Sequence, residues 1–113
     1  DAGKLYFYDA LGTQFEMAEF AVAGSGSVWI RGALYYQNRW QRRLVDADLA
    51  EATATTLRML EAAAHYDAAT GGVREHTAIV PTLKAVTRDG VQTLDEDYLR
   101  GIYTDAVEGA DVR

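Results

Sequence analysis

Two short turns, Asp9-Ala10-Leu11-Gly12 and Arg88-Asp89-Gly90, each lie between strand-like segments, and turns this short join only antiparallel neighbours. Lys4 to Tyr8 and Thr13 to Ala23 flank the first turn. Thr77 to Thr87 and Val91-Gln92 flank the second. Between the hairpins the apolar spacing changes from two to the helical repeat. One helix is predicted from Val28 to about Trp40, and a second from Asp46 to about Ala69. A third follows the last strand and runs to about Val107. The predicted order β-β-α-α-β-β-α pairs strands with strands and helices with helices, which indicates an α+β fold rather than parallel βαβ units.

The local signals set finer expectations. Phe15 and Met17 share one strand face, while Phe20 and Val22 alternate in the opposite phase. Side-chain direction repeats every two residues, so the slip predicts a bulge near Ala18-Glu19. Ser27 is a candidate N-cap for the first helix and Asp46 for the second. The second helix carries a stripe at Leu49, Thr53, Leu57, Leu60 and Ala64, spaced for a buried face. Thr53 fits that stripe if its hydroxyl bonds back to the preceding turn. Gly71-Gly72 supplies a helix stop. From Thr77 to Thr87 both strand phases are mostly apolar, as in a strand covered on two faces, although Pro81 forfeits a ladder hydrogen bond. Thr93-Leu94-Asp95-Glu96 reads as a capping box for the last helix.

Composition excludes several functions. A net charge of −6 argues against nucleic acid, which requires a basic surface. No run approaches the ~18 apolar residues of a membrane span, and no signal peptide is visible. With no cysteine, a disulfide framework and a thiolate zinc site are excluded. The redox compartment stays open, and a bacterial or archaeal cytoplasm fits. One proline and 10 glycines leave no linker, so residues 1–113 form a single unit. His65 and His76 have no ligand spacing and read as surface or interface residues. Trp29, Tyr35, Tyr36 and Trp40 read as packing or interface, and Gln41-Arg42-Arg43 as a solvated turn.

Two places depart from structural logic. Continuing the stripe from Leu60 and Ala64 leads to Asp67, a carboxylate on an apolar face and in a last helical turn, where the macrodipole disfavours it. Either the helix frays and Asp67 reaches water or a loop amide, or the residue has a function. Gly24-Ser25-Gly26-Ser27 is either a tight turn or a site where backbone amides and a hydroxyl meet a ligand.

The Gly24-Ser25-Gly26 junction, the long helix and Asp67-Ala68-Ala69-Thr70-Gly71-Gly72 together resemble the distal half of proteasome β-type subunits. The hexapeptide is similar to that family's Asp-x-x-Ser/Thr-Gly-Gly signature. Ile79-Val80-Pro81-Thr82 and the Arg88-Asp89-Gly90 hairpin are similar to bacterial members. The resemblance implies an N-terminal-nucleophile hydrolase fold, a four-layer αββα sandwich of which residues 1–113 supply the C-terminal half. It implies a threonine-type endopeptidase whose nucleophile lies in the other half, so that the chain alone is inactive. Half a sandwich also exposes sheet surface, which predicts self-association or dependence on a companion segment.

By position in the resemblance, Ser25, Asp67 and Thr70 support the threonine's α-amino group. Gly26 lies beside the nucleophile, and Asp9 lines a neighbouring subunit's substrate pocket. No cofactor is required, although a structural cation such as Mg2+ is implied, held by the carbonyls of Ala64, Asp67 and Thr70. The implied partners are proteasome α- and β-type subunits in stacked heptameric rings, a ring ATPase or activator, and unfolded protein substrate. A non-catalytic ring subunit and another bacterial peptidase ring of this fold are the alternatives.

Overall fold

The computed structural model describes residues 3–66 and 80–110. Its strands and longer helices follow the expected order: β1 (Leu5–Tyr8), β2 (Gln14–Met17), α1 (Ser27–Tyr36), α2 (Leu49–Tyr66), β3 (Lys84–Thr87), β4 (Gly90–Thr93) and α3 (Glu96–Ala106). Gly71-Gly72, His76 and residues 77–79 lie outside the described residues, as does the expected end of the second helix. The molecule is mixed α/β, with two separate antiparallel hairpins, β1–β2 and β3–β4. No helix among the described residues is long and apolar enough to cross a membrane.

In the first hairpin Leu5 pairs with Met17 and Tyr8 with Gln14. Asp9 closes the loop, its Oδ1 accepting the Leu11 and Thr13 amides at 2.9 Å each. The second strand stops at Met17 instead of reaching Ala23, and the chain bends at Ala18-Glu19. The phase slip is therefore not a bulge, because a bulge needs the ladder to resume. The ladder ends at the Leu5–Met17 pair, and residues beyond Met17 are not paired in it. They cross instead toward the helices, where Phe20 and Val22 face Ile30 and Leu34 across an apolar groove of about 450 Å³.

Gly24, at φ 101°, makes the turn into α1, and the Ser27 amide donates to the Gly24 carbonyl at 3.1 Å. That backbone turn replaces the expected cap: Ser27 is the first helical residue, Gly26 stands at the N-cap, and no side chain caps the helix. A π-helical turn, Gln37–Gln41, continues α1 to about the expected length. The cap of α2 is Asp48 rather than Asp46. Asp48 Oδ1 accepts the Glu51 amide at 2.8 Å, and Glu51 Oε1 accepts the Asp48 amide at 3.3 Å, a reciprocal capping box. Asp46 belongs to a 3-10 turn, Leu44–Asp46, and gives its carbonyl to Arg42 at 2.8 Å. Arg42 also pairs with Glu51, so it staples this corner and is no binding patch. Asp48→Ala is expected to cost about 1 kcal/mol, whereas Asp46→Ala, which keeps the carbonyl, should shift stability by no more than about 0.5 kcal/mol. Urea midpoints of the two variants check this.

The core lies where α2 meets α3. Leu57, Ala63, Leu94, Leu99, Tyr103 and Ala106 are buried, with Thr53 as the one polar member among the described residues. Thr53 Oγ1 donates to the Leu49 carbonyl at 2.7 Å, as its place in the stripe requires. The rest of the stripe differs from expectation. Leu49 is 48% exposed, while Leu60 and Ala64 are half-buried and Ala63 is fully buried. α2 packs against both α1 and α3, so its buried surface is wider than one stripe and its first residue falls outside.

The second hairpin turns through Arg88-Asp89 into Gly90, at φ 114°. Of the strand expected from Thr77, the described residues Val80 to Leu83 are not strand, and β3 begins at Lys84. Pro81 has no amide to give a ladder. Nor is β3 covered on two faces: Ala85 is half-buried and its neighbours are exposed. Asp95, not Thr93, caps α3. Its carboxylate accepts the Asp97 and Tyr98 amides at 3.1 and 3.2 Å, because Thr93 is still paired in β4, opposite Lys84. At the far end of α3, Arg58 Nε donates to the Ala106 carbonyl at 2.9 Å, satisfying a helix-end acceptor from α2.

Candidate functional site

The candidate residues come from three places: the first hairpin loop, the junction before α1 and the end of α2. Asp9 is half-buried, and Oδ1 of its carboxylate is committed to its own loop amides. It therefore shapes the loop whatever else it meets. At the junction Gly26 is buried and Ser25 exposed. The Ser25 hydroxyl makes no hydrogen bond among the described residues, which leaves it available. With φ 101°, Gly24 holds a conformation that residues with a Cβ rarely adopt, and this sets the direction in which Ser25 leaves the backbone.

Ala64 lies in the last turn of α2. Asp67 and Thr70, the other two candidate ligands and the two remaining supporting groups, lie outside the described residues. Among the described residues no three His, Asp or Glu side chains converge as a metal site.

One contact joins the first turn of α1 to the last described turn of α2, and nothing in the sequence pointed to it. Trp29, in the first turn of α1, stacks on Tyr66, the last residue of α2, with ring centroids 5.1 Å apart and planes at 25°. His65 meets Tyr66 edge-on at 4.9 Å. At the other end of the pair Gln37 Nε2 donates to Thr55 Oγ1 at 3.3 Å. The helices thus run antiparallel, and the start of α1 sits against the end of α2. Ser25 precedes Trp29 by four residues and Asp67 follows Tyr66 directly in the sequence. The exposed aromatic cluster at Trp29, Tyr35, Tyr36 and Trp40 otherwise stays on the surface, with Arg39 lying over the Trp40 ring at 4.8 Å.

Beside the junction, an apolar groove of about 570 Å³ is lined by Phe7, Met17, Phe20, Val22 and Tyr35, together with Arg31. Large apolar side chains therefore line open grooves on this side of the molecule instead of a closed core.

No family model matches the chain. It is similar to a protein named proteasome subunit beta 2 from Thermomonospora curvata, 39% identical over 110 residues, with 96% of this chain and 36% of that subunit covered. A proteasome subunit beta from Stackebrandtia nassauensis is 32% identical over 101 residues, covering 89% of this chain and 34% of the subunit. Proteasome subunit beta 1 of Streptomyces avermitilis is 32% identical over 108 residues, covering 94% and 36%. The first match leaves too few residues unaligned to omit either the Gly24 junction or the Asp67 hexapeptide. Over nearly all of its length, then, the chain is related to actinobacterial proteasome β subunits, and it spans about a third of their length.

Proposed function

We propose that these residues form the supporting part of a threonine-type endopeptidase site in a proteasome core. The observation that carries this is the likeness to proteasome β subunits across a stretch that includes both motifs. In this reading the chain is the distal part of an N-terminal-nucleophile domain, and the four-layer sandwich is completed by the rest of the subunit. The open grooves beside Phe20 and Val22 are where that remainder packs.

The chemistry follows from the side chains. A threonine hydroxyl attacking a peptide carbonyl needs a base nearby, and its own α-amino group serves when held at the right place and proton affinity. The Asp67 carboxylate favours the charged form of that amine and fixes its position. Hydroxyls from Ser25 and Thr70 take its remaining hydrogen bonds. Gly26 leaves room beside the nucleophile, and Asp9 edges the substrate pocket of a neighbouring subunit. The carbonyls of Ala64, Asp67 and Thr70 would hold a structural cation such as Mg2+, which takes oxygen ligands; it would brace the end of α2. The partners in this reading are α- and β-type subunits in stacked rings, with an ATPase or activator delivering unfolded protein.

Residues 1–113 contribute support and no nucleophile. Purified alone, they should hydrolyse no peptide substrate. Mixed with the separately produced remainder of the subunit, they should restore turnover that disappears when the remainder's first threonine is replaced. Turnover by the 113 residues alone that survives repurification would overturn the proposal. So would assembled rings that stay inactive with an intact threonine, which would favour a non-catalytic ring subunit.

A further inference from the structure

We infer that residues 19–23 are an open strand position, filled by an extended apolar segment from the remainder of the subunit that pairs with their backbone. The inference rests on the reading above, in which residues 1–113 are part of a longer domain. It adds where the rest attaches and by what bonds. Among the described residues, no amide or carbonyl of residues 19–23 makes a hydrogen bond. Yet Phe20, Ala21 and Val22 are half-buried, and backbone groups taken from water need partners. The stretch follows β2 directly, but the ladder with β1 has ended at the Leu5–Met17 pair. Its side chains suit a strand, since Phe20 and Val22 alternate with the small Ala21 and Ala23. An unpaired run of this kind is a template for another chain segment.

The two apolar grooves say what that segment is like. Residues 19–22 are the wall that both grooves share. Phe7 and Tyr35 line one groove, and Ile30, Leu34 and Met59 line the other. A strand laid along the wall sends alternate side chains to its two faces, so one extended segment can occupy both grooves while its backbone pairs with the wall. Both grooves are apolar, so the segment must be apolar in both phases, as strands covered on two faces are. The remainder of the subunit is the source because the matched relatives are much longer than this chain. The 110 aligned residues make up 36% of the first of them.

The test uses the whole subunit, free and assembled into rings, with amide hydrogen exchange followed by mass spectrometry. Amides within residues 19–23 are expected to exchange about 100-fold or more slowly than in an unstructured chain in both forms, because a paired strand opens only with its neighbours. Exchange at the unstructured rate in both forms overturns the inference. So does protection found only in the rings, which assigns the partner to another subunit. Cysteine pairing then identifies the occupant. Residues 1–113 contain no cysteine, so Ala21→Cys supplies a single thiol there, to be combined with single cysteines along the remainder. Facing residues of antiparallel strands lie about 4.5–5.5 Å apart at Cα, within disulfide reach. Cross-linking in the free subunit is expected at one position of an extended run and about tenfold weaker at its immediate neighbours, which point to the other face. Should Ala21→Cys fail to fold, Ala23→Cys repeats the measurement on the same strand face. Cross-links only between two copies, or none along the remainder, overturn the inference. Peptide turnover in the same samples separates the two ideas. Protection and cross-links without turnover support the strand position and sink the peptidase reading, whereas turnover without either sinks the strand position alone.

Discussion

Asp67→Ala in the assembled subunit is expected to lower kcat for peptide hydrolysis by about 100-fold or more, the scale at which positioned acid–base groups contribute. The residue's partner in the proposed site is the enzyme's own terminal amine rather than the substrate. Losing the carboxylate should therefore leave KM within a few-fold and fall mainly on kcat. Asp67→Asn separates charge from shape. It keeps the size and one acceptor oxygen while removing the negative charge that favours the ammonium form, and it should lose activity on the same scale. Thr70→Ser, which retains the hydroxyl, should be mild by comparison. An assembled Asp67→Ala complex with parental kcat would remove the central residue from the proposal.

The largest effect on stability should come from Leu57→Ala. Leu57, 1% exposed, and Leu99, 2% exposed, are the largest fully buried side chains among the described residues, one on α2 and one on α3. Truncating a buried leucine loses its transfer free energy and leaves a cavity that neighbours fill incompletely, for a cost of about 2–5 kcal/mol. That is a large part of the ~5–15 kcal/mol that holds a typical domain. Leu49→Ala is the matched control. Leu49 heads the same apolar stripe but lies 48% exposed, so its loss should cost about 0.5 kcal/mol or less. Urea unfolding of both variants gives the comparison, and equal losses would contradict the placement of the core.

The stripe in α2 shows how far local pattern reaches. Helical spacing placed Thr53 and Leu57 on the buried face, and the Thr53 hydroxyl bonds to Leu49 as that placement demands. Spacing did not exclude Leu49, because whether the first residue of a helix is covered depends on what lies beyond its end. The caps show the same division. Asp46 announced the start of α2 and the Thr93 capping box that of α3, but Asp46 and Asp48 are equivalent as signals. The reciprocal bond with Glu51 and the pull of Arg42 on the Asp46 carbonyl decide between them. In the candidate site, Asp67 was conspicuous as a carboxylate on an apolar repeat, and the glycines around Ser25 as a sharp junction.

Element order, both hairpin turns and the existence of all three helices were thus legible in the sequence, because each depends on interactions within a few residues. Strand lengths were not, since the β1–β2 ladder stops at the Leu5–Met17 pair, which no local pattern marks. Nor was the meeting of Trp29 with Tyr66, two aromatic residues 37 positions apart (from 29 to 66) with no repeat relating them. The sequence alone marked Ser25, Asp67 and Thr70 as the residues to which the proposed function assigns the supporting chemistry. Only the antiparallel packing of α1 on α2 decided that Trp29, just after the junction holding Ser25, lies against Tyr66, because side-chain contacts between distant segments exist only once the helices dock.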